Sequence, residues 1–222
     1  ESFKTPEYNP LDPDIKMDLL KNFLTRNEVD SINNIVQDYT RRKNLNLTNF
    51  RKGRTGTKIM PWDPSNFDVT YTFSEVMNRN FEKQSDINRQ QMGALGYNFT
   101  SQAKPYKPFK NIKSEYLKFI SDFNILPIPN SFTFRTAANR SYNELILRNN
   151  SDPGSPPLDT LFNKNFTLTR DYNLTYNLAQ SIQFQYTANN QSRIDEPLGR
   201  IDQKWERDSI FNNVLLGGRT TG

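Results

Sequence analysis

Strict two-residue alternation of apolar and polar side chains, no apolar run long enough for a membrane helix, and a polar phase built from amides and hydroxyls predict an all-β chain. The expected architecture is antiparallel up-and-down strands forming part of a large outer-membrane β-barrel, with one or two short helices.

The closely spaced prolines of TPEYNPLDP, Thr5 to Pro13, predict an extended arm. A helix is expected from about Arg26 to Arg42, because Thr25 and Glu28 have capping-box spacing and Val29, Ile32, Val36 and Tyr39 form one stripe. Arg41, Arg42 and Lys43 then suit its C-terminal dipole. From there the period becomes two. A short strand is expected over Leu45 to Phe50, leading into the basic, turn-rich stretch Arg51 to Lys58. From Asn66 to Ser74, Phe67, Val69, Tyr71 and Phe73 alternate with Asp68, Thr70, Thr72 and Ser74. Another strand begins near Asp86 and ends with Leu95, Tyr97 and Phe99, and a further one runs from Phe132 and Phe134 toward Leu147.

The longest alternation covers Asn165 to Leu178, with Phe166, Leu168, Tyr172, Leu174, Tyr176 and Leu178 in one phase and Thr167, Asn173, Thr175 and Asn177 in the other. Ile182, Phe184 and Tyr186 against Gln183, Gln185 and Thr187 follow at once, so Ala179 to Ser181 make a tight hairpin turn. The pattern breaks between Pro105 and Pro129, where Ser114 to Phe123 can form a helix; Asn149 to Pro157 reads as an exposed loop, and Asp202 to Leu216 can hold a short helix. The chain thus divides into arm and helix over 1–43, wall strands over 44–192 interrupted at about 101–130, and a loop with a short helix over 193–222.

Only 34% of the residues are hydrophobic, yet 13% are aromatic, which separates the chain from aromatic-poor disordered sequences. With no Cys and no His, thiolate chemistry, disulfides and the commonest general base and metal ligand are absent. No catalytic residue, cofactor site or metal site is expected. The net charge of +5 is scattered, so nucleic acid is not an expected partner. No signal peptide is visible at Glu1, which fits a mature or internal piece.

A soluble sheet usually turns Lys and Glu to water, whereas this polar phase is Asn, Gln, Thr and Ser. Such groups suit a hydrated lumen, and aromatic ends on the apolar phase suit interface girdles. Phe67, Val69, Tyr71, Phe73, Leu95, Tyr97, Phe99, Leu174, Tyr176, Leu178, Ile182, Phe184 and Tyr186 are therefore expected to face lipid. Thr70, Thr72, Asn173, Thr175, Asn177, Gln183, Gln185 and Thr187 are expected to face the lumen. Arg140 and Arg170 fall in the apolar phase, which requires them to stand outside the hydrocarbon layer. About six strands cannot close a barrel, for which about eight is the known minimum, so the sheet needs further strands. Short turns usually lie on the periplasmic side, which would put Ala179 to Ser181 there.

Several motifs have plainer explanations than chemistry. Asp195 and Glu196 resemble a carboxylate pair, but neighbours on a strand point to opposite faces, and pairing with Arg193 or Arg200 is expected. Gly53 and Gly56 among Arg51, Lys52, Arg54 and Lys58 lack the spacing of a phosphate-binding loop.

The runs DYTRRKNLNLTNFRKGRTG (Asp38 to Gly56), NFDVTYTFSE (Asn66 to Glu75), FTFRTAANRSYNE (Phe132 to Glu144), the long tract Phe166 to Asp202 and the terminal Gly218 and Arg219 resemble the C-terminal half of the SprA family, also called Sov. The tract Arg193, Ile194, Asp195, Glu196, Pro197 is the most specific piece. The resemblance implies an internal piece of a type IX secretion translocon in the bacterial outer membrane, serving gliding motility as well. Such barrels are the largest known, with roughly 36 strands. It also implies as partners the rest of the barrel, secreted cargo proteins, a PorV-type barrel, a periplasmic plug protein and outer-membrane lipid. A passive or substrate-binding barrel of another family, and a soluble β-rich adhesin or carbohydrate-binding module, share the alternation and stay open at this point.

Overall fold

The computed structural model describes residues 1–222 apart from 55, 57–59, 102–103, 110–123, 151–155, 157, 180–181, 202, 217–218 and 221–222. The expected helix over 114–123, the basic residue Lys58 and the turn residues 180–181 lie outside the described residues.

Six long strands form an all-β, antiparallel, up-and-down sheet: β4 (Asp38–Phe50), β5 (Phe67–Arg79), β6 (Lys83–Thr100), β7 (Ser131–Leu147), β8 (Leu161–Ala179) and β9 (Ile182–Arg193). Short β1 (Ser2–Lys4) and β10 (Arg219–Thr220) add to its two edges, giving the order β1-β4-β5-β6-β7-β8-β9-β10. Each long strand pairs with its sequence neighbour, and β6 with β7 matches residue for residue from Ser85↔Ile146 to Thr100↔Ser131. The strands of 17 to 19 residues exceed the about five or six typical of soluble sheets. The β5–β6 turn is set by Asn80, whose side-chain oxygen accepts the N–H groups of Glu82 (3.1 Å) and Lys83 (2.7 Å).

Two expectations for the N-terminal region are corrected. The arm over 5–13 is not simply extended: β2 (Tyr8–Asn9) and β3 (Asp12–Lys16) form a hairpin, where Asn9 Oδ1 accepts the Leu11 N–H at 3.1 Å. Helix α1 (Met17–Phe23) follows. The helix expected over 26–42 ends sooner, as α2 (Arg26–Val36), and Asp38 to Lys43 belong to β4, so the wall begins at 38 rather than 44. Sheet pairing overrides helix continuation here. Arg41 and Lys43 do not serve a helix dipole; they lie 3.8 and 3.7 Å from Glu75 on the neighbouring strand. Tyr39, read as the end of the helical stripe, instead stacks on Phe3 of β1 with ring centres 4.8 Å apart.

The start of α2 is as the spacing predicts: the Glu28 carboxylate accepts both the Thr25 N–H (2.9 Å) and the Thr25 hydroxyl (2.7 Å). These bonds, the hydroxyl first, hold the Glu28 carboxyl below its ordinary value. A depressed carboxyl contributes stability above its unfolded pKa and loses it as pH falls through the folded one. Hydrogen-exchange protection of 26–36 is therefore expected to drop on acidification, and Glu28→Gln should flatten that dependence.

No second large sheet covers the first; among the described residues the other sheet is the two-stranded β2–β3 hairpin. The buried cluster is Phe166, Leu168 and Ile194, packed against Ala138 and against Ile210 and Val214 of the C-terminal helix α3 (Lys204–Leu216). The core thus lies between one end of one sheet face and the chain's own C-terminal segment. Much of that face beyond it is open among the described residues, Phe184 and Tyr186 included.

Candidate functional site: the two faces of the sheet

Residues opposite one another in a ladder point to the same side, so the register sorts every strand position onto one of two faces. One face carries Leu45 and Leu47 from β4, then Phe67, Val69, Tyr71 and Phe73 from β5. Leu95 and Tyr97 of β6, Phe132 and Phe134 of β7, Tyr172, Leu174 and Tyr176 of β8, and Phe184 and Tyr186 of β9 continue it without a change of side. All the residues expected to face lipid share this face, with Leu178 at a register shift beside the Ala179↔Ile182 pair. Many are open: Ile182, Phe184 and Tyr186 keep 51%, 52% and 51% of their surface exposed. Such a contiguous aromatic surface is far from what a monomer in water displays.

Phe99 is the correction. It is on this face but only 3% exposed, at a strand end where residues 124–130 fold back. There Ser101 N–H donates to the Asn130 carbonyl, Leu126 N–H to the Leu178 carbonyl (3.1 Å), and the Tyr176 hydroxyl to the Leu126 carbonyl (2.8 Å).

The apolar band does not follow the hydrogen-bonded rows; it climbs across them. On β5 it reaches Phe73, whose row continues through Gln91, Arg140 and Phe166. On β9 it stops at Tyr186, whose row runs back through Leu174, Phe132 and Phe99. Across four strand spacings the edge moves by eight residues, roughly 26 Å along the strands against roughly 19 Å across them, a slant of roughly 50°. Strands of membrane barrels tilt by about 35–45°. A level hydrocarbon layer cut by tilted strands leaves such a diagonal.

The opposite face holds Asn44, Asn46, Thr70, Thr72, Ser74, Gln90, Asn139, Ser141, Asn165, Thr167, Asn173, Thr175, Asn177, Gln183, Gln185 and Thr187, so every residue expected to face the lumen lies together. Thr70 is only 9% exposed; its hydroxyl accepts the Asn49 N–H (3.2 Å) where β4 shifts register between Leu47 and Phe50. The face is concave. A trough of about 530 Å³ touches side chains from β4 through β8, among them Asn44, Thr72, Gln90, Asn139 and Asn165. A second, of about 430 Å³, runs from Asp68 on β5 to Asn189 on β9. Hollows bordered by five consecutive strands fit a sheet that curls toward that side.

Beyond the band, the apolar phase gives way to charge. Glu75 accepts two bonds from Arg89 (3.0 and 2.7 Å), the Tyr142 hydroxyl donates to Glu144 (2.6 Å), and Arg200 chelates Glu144. Arg140 and Arg170, the two interruptions of the apolar phase, are both covered by the C-terminal segment. Arg140 grips Glu196 through Nε and Nη2, and Arg170 donates to the Val214 carbonyl (3.4 Å). The tract Arg193 to Pro197 crosses the sheet to do this: Ile194 N–H continues the ladder onto the Phe166 carbonyl, its side chain enters the core, and Pro197 O accepts from Lys164 (2.7 Å). Asp195 pairs with Arg193 at 4.0 Å, as expected, whereas Glu196 and Arg200 choose sheet partners instead. The sequence reading missed those partners because Glu75, Arg89, Arg140 and Glu144 look like isolated breaks in alternation; only register stacks them side by side.

No protein-family model matches the chain, and the comparison with curated proteins finds no match either.

Proposed function

We propose that this sheet is a section of the wall of a bacterial outer-membrane β-barrel that conducts folded proteins, of the kind the SprA family forms in type IX secretion. The observation that carries the reading is one single-layer sheet with two chemically opposite faces: a concave face of amides and hydroxyls, and an outer aromatic band slanted at roughly the tilt of barrel strands. Hydrocarbon on the outer side repays exposure of Phe184 and its neighbours at roughly 25 cal/mol per Å². Inside, Gln185 and Thr187 offer passing cargo hydrogen-bonding groups that water already satisfies, on a face whose apolar members, such as Met92, Ala94 and Ala137, include no aromatic ring on β5 to β9. The function is steric and needs no catalytic group. Beyond the short pairings with β1 and β10 at one end, most of the outer edges of β4 and β9 has no partner among the described residues and calls for further strands, since unpaired backbone groups have no partner in lipid. Cargo proteins, a PorV-type barrel and a periplasmic plug are the partners the family resemblance suggests.

Sidedness is better argued from the connections than from one turn. Residues 180–181 join β8 to β9 at the same end of the sheet as the two longest connections, 51–66 and 101–130, whereas the 80–82 turn and the shorter connection 148–160 lie at the other end. Long loops favour the cell surface, so this reading places the β8–β9 connection outside rather than on the periplasmic side that its shortness alone suggests.

Photo-crosslinkers placed at Gln185 and Phe184 in the membrane-embedded protein test the reading. Gln185 should capture an exported protein in secreting cells, and Phe184 should capture lipid. Recovery of the protein in the aqueous phase without detergent, or cargo captured from Phe184 rather than Gln185, would overturn it.

A further inference from the structure

Between α3 and strands β6 to β8 lies a cleft of about 610 Å³, within the roughly 300–1,000 Å³ of small-molecule sites. One wall is apolar, with Phe166, Ile210, Phe211 and Val214; the other holds Arg89, Arg140, Arg200 and Arg207. Three of these arginines are answered by carboxylates: Arg89 by Glu75, Arg140 by Glu196 and Arg200 by Glu144. The Arg207 guanidinium has no hydrogen bond or ion pair among the described residues. The cleft therefore carries surplus positive charge beside an apolar wall, the chemistry of an anionic amphiphile.

Helix α3 points the same way. Ile210 and Val214 face the sheet, yet Trp205, Phe211 and Leu215 on its other sides are 65%, 62% and 66% exposed. A helix apolar on two sides needs a second apolar medium. Its depth supplies one: the slanted edge of the band crosses β7 near Thr136, and Arg140, on the cleft floor, stands four residues beyond it, roughly 13 Å along the strand and roughly 9 Å in depth at a tilt near 45°. That is the headgroup layer.

We propose that this cleft binds one anionic glycerophospholipid, its phosphate on Arg207 and an acyl chain running along Phe166, Ile210 and Phe211 toward the band. The site rests on the membrane-wall reading above, and the periplasmic leaflet, where that reading puts the charged end, is the glycerophospholipid one. Arginine suits the phosphate because its planar fork donates two bonds at once.

The test uses the protein extracted from its membrane in mild detergent, exposed to phosphatidylglycerol or phosphatidylcholine, with retained lipid counted by native mass spectrometry. Phosphatidylglycerol should be kept about tenfold better than phosphatidylcholine, a preference that Arg207→Gln lowers about tenfold and Phe211→Ser, at an exposed position, lowers similarly. Arg51→Gln, at the opposite end of the sheet, should leave it unchanged. A membrane-integral protein that keeps no lipid, keeps it equally in the Arg207→Gln and Phe211→Ser variants, or keeps lipid A instead would overturn the cleft alone. Protein found without detergent in the aqueous phase would overturn the wall reading with it.

Discussion

Leu95→Arg is expected to lower the stability of the membrane-folded protein by about 2–4 kcal/mol, measured by urea titration of folding into lipid vesicles. Leu95 lies in the interior of the band, in the row of Val69, with the rows of Phe67 and Tyr71 on either side. A guanidinium there has no water and cannot reach the headgroups without dragging its strand. Gln185→Arg, on the opposite face, should change stability by no more than about 0.5 kcal/mol, since the hydrated lumen of the proposed barrel would solvate the charge. The contrast is what discriminates: Leu95 is 39% exposed, so in a sheet bathed in water on both faces the two substitutions would cost about the same.

Glu196→Gln is expected to cost about 3 kcal/mol in the same titration, because it strands a largely covered guanidinium rather than merely removing a bond. The Glu196 side chain is only 2% exposed and Arg140 21%, so water replaces the lost carboxylate poorly. Arg140→Met combined with Glu196→Leu should recover most of the loss, since a buried pair and a well-packed apolar pair of similar volume differ little. A double variant as weak as the single one would mean that Glu196 acts through the path of the 193–200 segment and not through its charge.

Strand identity, order and facing were legible from sequence wherever alternation was unbroken. Phe67 to Ser74, Asn165 to Asn177 and Ile182 to Asn189 fell on the faces their phases assigned. The wall's extension to Asp38 was not legible, because Val29, Ile32, Val36 and Tyr39 keep helical spacing through the junction while only pairing with Val76 to Arg79 pulls the second part into the sheet. The charged end was equally hidden. Arg140 and Arg170 read as defects in a lipid face until the return of 193–216 over them placed Glu196 and the Val214 carbonyl within reach. Phe99 failed for a related reason: alternation fixes which side a residue faces and is silent on whether another segment lies over it.

Because the six long strands pair with one another strictly in chain order, the contacts that build most of the sheet are local, and each connection can zip its own pair independently of distant parts. Such an arrangement assembles by accretion and also enlarges by it. In the barrel proposed above, inserting or deleting one strand-turn-strand unit would change the circumference without rethreading the backbone, so bore width would become a quantity that gene duplication can adjust in steps of two.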